Sequence, residues 1–364
     1  MKRGFVIALV ISFIMSLFGC GENRESGNIQ WGTERNDYGL FTAVDNEGNV
    51  YIAGGTFGNL DGNSNAGEID IFLTKLKNNG SKEWTIQWGT SDFDMGNSIS
   101  FDSEGNIYVA GVISGSSYTS SSYQTYYIYD IFLTKINSDG KQVWTEQWGT
   151  ENIDYGASVT VDSNDNIYVA GYTNGDLDGN KNNDDKNDGY DSKDIFLTKF
   201  NSKGKKLWTR QWGTKEDDSV NSILTDHDGN IYITGSTDDR DIFLAKLSDD
   251  GSNIWNLQWG TEYGDSGHSL ALDADGSIFV VGATRGDLDG NINSNSEGHY
   301  PLNDIFLTKI TNDGSKVWTK QWGTESDEVG SFVSVSKDNN ILVTGSAGGD
   351  VFLTKLSSDG STDT

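Results

Sequence analysis

The sequence predicts an all-β fold, a six-bladed β-propeller of four-stranded blades, and three observations predict it. The tripeptide Trp-Gly-Thr occurs six times, beginning at Trp31, Trp88, Trp148, Trp212, Trp259 and Trp322. From each of these tryptophans to the glycine that ends the next apolar run is 23 residues, as from Trp31 to Gly54 and from Trp322 to Gly345. From the aspartate of each DIFLTK-like segment to the following WGT is 18, as from Asp70 to Trp88. A fixed frame of about 41 residues is the size of a four-stranded blade. All length variation falls between that glycine and that aspartate, where the separations are 16, 19, 23, 6, 22 and 5.

The chain opens MKRGFVIALVISFIMSLFGC: Lys2 and Arg3, an apolar run from Phe5 to Phe18, then Gly19 and Cys20. The run is shorter than the roughly 20 residues a membrane span needs. It reads as an export signal over residues 1–19 that is removed, with a transmembrane anchor as the alternative. Leu17-Phe18-Gly19-Cys20 resembles the lipobox of bacterial lipoproteins, which implies cleavage before Cys20 and lipid attachment to its sulfur. The chain has one cysteine, so no internal disulfide forms despite the exported context. Lipoproteins of this kind carry more than one acyl chain, enough for stable anchoring. Gly21 in place of aspartate after the cysteine points, by resemblance, to the outer membrane. Residues 20–26 form a lipidated polar tether and residues 27–364 the propeller.

One proline, Pro301, 45 glycines and no amphipathic run of helical period leave strands and turns as the building material. The formal net charge is -28, with only 26 lysines and arginines. Such a surface repels phosphate backbones, which excludes nucleic-acid binding, and attracts cations and basic partners.

Each blade reads as four strands. Strand A alternates, as in Ser98-Ile99-Ser100-Phe101. Strand B (Asn106 to Gly111) and strand C (DIFLTK) are nearly continuous in apolar residues, as a sheet covered on both faces requires. Strand D is the WTIQWGT phrase, Trp84 to Thr90, in which Trp84, Ile86 and Trp88 share a face. The A–B and C–D turns use Asp, Asn and Gly in the manner of tight hairpins. Fourteen residues beyond Asp70 stands Trp84, and fourteen beyond Asp350 stands Thr364. The last blade therefore lacks its D strand, and Gly27 to Thr33 are expected to supply it, closing a monomeric ring and removing free sheet edges.

The succession WGT, D-x-G, D-x-x-GNIYVAG, DIFLTKL and G-x-x-x-W-x-x-QWGT resembles the bacterial β-propeller repeat called SBBP. The resemblance covers nearly the whole chain after the signal. It implies the propeller fold and an exported location, and says little about activity.

In four-stranded blades the B–C and D–A connections share one end, so every insertion falls at that end, where binding in propellers usually lies. Three insertions share a phrase: Asn59-Leu60-Asp61-Gly62-Asn63-Ser64-Asn65, Asp176 to Asn182 and Asp287 to Asn293. Oxygens at alternate positions (Asp61, Asn63, Asn65; Asp176, Asp178, Asn180, Asn182; Asp287, Asp289, Asn291, Asn293) suit calcium, a hard cation that takes about 6 to 8 oxygen ligands. The glycine, however, falls at the fourth place rather than an EF-hand's sixth, and a polar turn held by its own hydrogen bonds is the other reading. The second blade instead carries Tyr118, Tyr123, Tyr126, Tyr127 and Tyr129 among serines, a composition suited to contact with a protein or glycan, or a loop folded back on its own blade. Six residues after each WGT tryptophan stands an acid: Asp37, Asp94, Asp154, Asp218, Asp265 and Glu328. These either ring a channel mouth or bond the D–A turn, and recurrence in every blade favours the turn.

His227, His268 and His299 fall in different units without metal-ligand spacing, and no G-x-S-x-G or phosphate loop is present. The expected function is a binding or adhesion module rather than an enzyme, the alternatives being an envelope scaffold and, more remotely, a hydrolase or lyase built from paired acids.

Overall fold

The computed structural model describes residues 30–119, 125–183, 192–237, 240–295 and 301–361. Cys20, Tyr123 and His299 lie outside them. The fold is all-β, with six propeller-type blades made of antiparallel sheets. The chain divides into two compact units, Met1–Asn182 with Gly189–Trp212, and Asn183–Asp188 with Gly213–Thr364.

The first unit holds three sheets, each formed by four consecutive strands in order. They are β1 (Asp37–Val44), β2 (Val50–Thr56), β3 (Asp70–Leu76) and β4 (Lys82–Trp88); β5 (Met95–Phe101), β6 (Ile107–Thr119), β7 (Thr125–Ile136) and β8 (Gln142–Trp148); and β9 (Asp154–Val161), β10 (Ile167–Thr173), β11 (Asp194–Phe200) and β12 (Lys206–Trp212). The second unit holds β13 (Ser219–Thr225), β14 (Ile231–Ser236), β15 (Ile242–Leu247) and β16 (Asn253–Trp259); β17 (Asp265–Leu272), β18 (Ile278–Thr284), β19 (Asp304–Ile310) and β20 (Lys316–Trp322); and a sheet of three strands, β21 (Glu328–Val335), β22 (Ile341–Ala347) and β23 (Asp350–Leu356). Among the described residues no helix is long and apolar enough to cross a membrane.

The fourth strand expected for the last sheet is not present among the described residues. Gln30–Thr33 have no strand conformation, and residues 27–29 lie outside the description. Trp31 instead packs against the cluster of Val44, Val50 and Leu76, and Lys82 Nζ lies 5.5 Å from its ring centroid. This is how a WGT tryptophan meets the sheet that follows it: Trp148 lies 4.9 Å from Phe200, with Lys206 Nζ 5.7 Å from its ring. An indole wedged under a neighbouring sheet is fixed by apolar burial, and at Trp31, Trp148 and Trp259 a lysine adds cation–π attraction.

Neighbouring sheets within a unit share cores. Ile71 and Leu73 of β3 join Ile99, Ile107, Val109 and Phe132 in one cluster, and Val281, Ile305 and Leu307 join Val333, Ile341 and Val343 in another. These continuous apolar strands are buried on both faces, as their composition requires.

Each first strand carries a β-bulge the sequence does not announce. The extra residues, read from the register shifts, are Leu40, Asn97, Ala157, Asn221, His268 and Ser331. A bulge re-aims one side chain. Three of these reach the next sheet of the same unit: Asn97 Nδ2 donates to Gly156 O at 2.9 Å, Asn221 Nδ2 to Gly267 O at 2.9 Å, and His268 Nδ1 lies 3.0 Å from Gly330 O.

Candidate functional site

In three of the sheets strands B and C open at the same point. Thr56 lies opposite Asp70, Thr173 opposite Asp194, and Thr284 opposite Asp304. Everything variable in length is inserted between such partners.

The three shared insertions fold alike. Each makes a short 3₁₀ turn, Leu60–Gly62, Leu177–Gly179 or Leu288–Gly290. The middle aspartate is left-handed, with φ of 51°, 51° and 50° at Asp61, Asp178 and Asp289, a conformation that Asp tolerates better than most residues. The leucine is buried, at 1%, 0% and 0% exposure for Leu60, Leu177 and Leu288. The outer strand's glutamine holds it there. Gln87 Oε1 accepts the Leu60 N–H at 2.9 Å, and its amide donates to Gly58 O and Asp70 Oδ2. Gln211 and Gln321 do the same for Leu177 and Leu288.

The residues considered for calcium are engaged with the chain's own groups. Asp61 accepts from Lys82 Nζ at 2.5 Å and Thr85 Oγ1 at 2.6 Å. Asp178 accepts from Lys206 and Thr209, and Asp289 from Lys316 and Thr319. Burial works to raise the Asp61 carboxyl, but the hydrogen bonds and charge of its partners hold it below its ordinary value. Asn63, Asn180 and Asn291 donate to the carbonyls of Leu60, Leu177 and Leu288. Asp176 and Asp287 accept the backbone N–H of Asn182 and Asn293. Asn65 accepts from Gly67 N and donates to Thr56 O, while Asn182 and Asn293 donate to Ser192 O and Leu302 O. Among the described residues no three His, Cys, Asp or Glu side chains converge as a metal site.

The tyrosine-rich insertion is a continuation of the sheet. β6 and β7 run on past their neighbours' ends, pairing Tyr118 with Tyr126, Ser117 with Tyr127 and Ser114 with Tyr129. Tyr129 packs edge-on to Phe93 at 5.4 Å.

The recurrent acids bond the D–A corner, as their recurrence suggested. Asp37 accepts from Thr33 N at 2.6 Å and from Thr56 Oγ1, Asp218 from Thr214 N at 2.5 Å, and Glu328 from Thr324 N at 3.0 Å. Asp94 accepts from Thr90 N and from Ser114 N at 2.8 Å, and Asp154 and Asp265 accept from Thr150 N and Thr261 N. Burial pushes the carboxyls of Asp94 and Asp265 up, and that of Asp154 to about 6, against these hydrogen bonds.

At the far end of the sheets, turn aspartates do similar work. Asp102 accepts from Asn106, from Tyr108 OH at 3.0 Å and from Lys135 Nζ at 3.2 Å. His227 sits exposed in such a turn, and His268 is the bulge residue described above.

Beside the first blade is a cleft of about 800 Å³ between the corner Gly32–Arg35 and the insertion residues Phe57–Asn59 and Asn65. Phe57 stacks edge-on with Tyr38 at 6.2 Å, and Tyr38 is 44% exposed. Arg35 donates to Phe57 O at 3.3 Å. Aromatic rings beside a carboxylate, a guanidinium and an amide form a surface able to take a polar ligand with flat apolar faces. The sequence signal for this cleft was the replacement of the usual polar residue after strand B by Phe57.

Comparison with known proteins agrees with the repeat. The family model of the SBBP β-propeller repeat matches residues 83–119, 143–178 and 207–243. The chain is 29% identical over 211 residues to regulatory protein FlaEY of Caulobacter vibrioides, covering 52% of this chain and 21% of that protein. It is 33% identical over 116 residues to an uncharacterized WD repeat-containing protein, L264, of Acanthamoeba polyphaga mimivirus, covering 28% of this chain and 8% of that one. It thus spans about a fifth or less of the length of these relatives. A solved structure of a protein from Lactobacillus plantarum resembles it with a TM-score of 0.53 and 14% identity, over 86% of this chain and 80% of that one, a likeness of fold.

Proposed function

We propose that the chain is an exported lipoprotein, held on a bacterial envelope through Cys20, whose blades present a binding surface at their B–C loop end to a protein or glycan. One observation carries the reading: the sheets are held to a fixed register while every insertion lies beyond the same cross-strand position, that of Thr56 and Asp70, whether it leaves the sheet as the LDG turns do or extends it as the tyrosine-rich hairpin does. A frame that keeps its core and varies one end is organised for recognition at that end. The cleft bounded by Arg35, Phe57 and Asn59, with Tyr38 exposed beside it, supports this.

The test is retention of envelope proteins and glycans by the immobilised chain, compared with Phe57→Ala and with a variant whose residues 116–128 are replaced by a two-residue turn. Loss of a specific ligand in either variant, with unchanged melting, is the expected result. Equal retention by all three proteins would defeat the binding reading and leave the scaffold. Membrane fractionation of Cys20→Ser tests the anchor, with release from the membrane expected.

A further inference from the structure

Where one blade meets the next, two buried carboxylates converge over the glycine of WGT. A methyl group placed on Gly89 would sit 2.9 Å from Asp70 Oδ1 and 2.6 Å from Asp94 Oδ2. Carboxylates also approach each other over Gly149 (Asp130 and Asp154), Gly260 (Asp241 and Asp265) and Gly323 (Asp304 and Glu328), although Asp130 and Asp241 are only half-buried. Two carboxylates that close in a dry site cannot both stay ionised without a countercharge.

The hydrogen bonds around the first pair are asymmetric. Asp94 accepts from the N–H groups of Thr90 and Ser114 and from the Thr90 hydroxyl, all of them donors to an ionised carboxylate. Asp70 Oδ2 accepts from Ala66 N at 2.8 Å and Gln87 Nε2 at 3.1 Å. Asp70 Oδ1 has no partner, although the residue is 0% exposed. A buried acceptor left unpaired is costly, and this one faces another carboxylate. The other ionisable groups on the adjoining segments are Glu68, in the loop before β3, and Asp92, in the corner before β5. Both are acidic, so neither supplies a countercharge.

We propose that the junction over Gly89 binds one proton, shared by its two carboxyl groups, with Asp70 Oδ1–H donating to Asp94 Oδ2. The proton comes from solvent, satisfies the orphan oxygen and removes one of two opposed charges. It makes the seam between neighbouring blades of a unit a titratable contact, closed while the proton is held and strained when it leaves. The upward displacement of the Asp94, Asp154 and Asp265 carboxyls has the same sense, and for such pairs the titration belongs to the pair.

The test follows aspartate carboxyl carbons by NMR in the full chain from about pH 3 to pH 8, with melting of Asp70→Asn and Asp70→Ala. At least one aspartate carboxyl with a midpoint above the ordinary value of about 3.9 is expected. Asp70→Asn, whose amide N–H replaces the shared proton, is expected to remove one such titration and to melt at or above wild type at pH 7.5, while Asp70→Ala melts lower. The proposal is overturned if all carboxyls titrate near their ordinary value, which the wild type alone decides. It is also overturned if Asp70→Asn melts as low as Asp70→Ala, or if a chelator lowers the melting temperature and calcium restores it, since the pairs would then hold a metal cation.

Discussion

Gln87 Oε1 accepts the backbone N–H of Leu60 at 2.9 Å, so one side chain of the outer strand fixes an insertion that begins elsewhere in the blade. The same amide donates to Gly58 O and Asp70 Oδ2.

Gln87→Leu should therefore leave the Leu60 N–H unpaired and take one of two donors each from Gly58 O and Asp70 Oδ2, which keep Thr56 Oγ1 and Ala66 N. One unpaired buried donor costs about 1–3 kcal/mol, and a loss of that size is expected in chemical denaturation. Gln147 donates to Asp130 and clamps no LDG turn, and Gln147→Leu should cost clearly less. Equal losses would show that the clamp contributes nothing.

Gly89→Ala should destabilise the first unit, because the new methyl meets two carboxylate oxygens at 2.6 and 2.9 Å. Overpacking of this sort costs roughly 1–3 kcal/mol. Gly96→Ala is the milder control, since its nearest contacts are methyl groups at 3.1 and 3.2 Å. Melting of both variants checks the order.

His268 gives stability a pH dependence of definite sign. Burial lowers its pKa below 6.5, opposed by the Gly330 carbonyl, so on acidification the unfolded chain takes the proton first. Its contribution is complete above about pH 6.5 and is lost as pH falls through the folded value. His268→Asn, which copies Asn97 and Asn221 at the corresponding bulges, should flatten this limb while keeping a donor to Gly330 O. An unchanged pH profile in the variant would refute the assignment.

Asp154 acts in the opposite sense. Its folded value of about 6 stands above the ordinary 3.8, so its contribution is present below pH 3.8 and is lost as pH rises through 6. Asp154→Asn should remove that slope from a pH series of melting temperatures, and a retained slope would assign it elsewhere.

Calcium at the LDGN turns would have to displace Lys82 and Thr85 from Asp61. The expectation is that melting is the same with calcium and with chelator, and that Lys82→Met creates any sensitivity there is. A calcium-dependent shift in the wild type that Asp61→Asn reduces and Asp70→Asn leaves unchanged would place a metal at these loops.

The strands were legible because their apolar patterns and spacing repeat six times, and averaging over units cancels local accidents. The corner acids were legible for the same reason: a residue present in every blade answers to something every blade does. The bulges were not. An extra residue such as Asn97 leaves the alternation on either side intact, and its length is absorbed in a spacing that is already constant. The Phe57 cleft was missed because it belongs to one unit alone, where repetition gives no leverage. The LDGN aspartates were ambiguous because carboxylates spaced for a cation are also spaced for Lys82 and Thr85, which arrive from a strand more than twenty positions later.

The cross-strand pairing of Thr56 with Asp70 has a consequence for how such a chain changes over time. Both ends of an insertion leave from one rung of the ladder, so lengthening or deleting it shifts no other rung. Replication slippage there is invisible to the rest of the molecule, and a foreign peptide grafted between those two residues would inherit a ready-made mount.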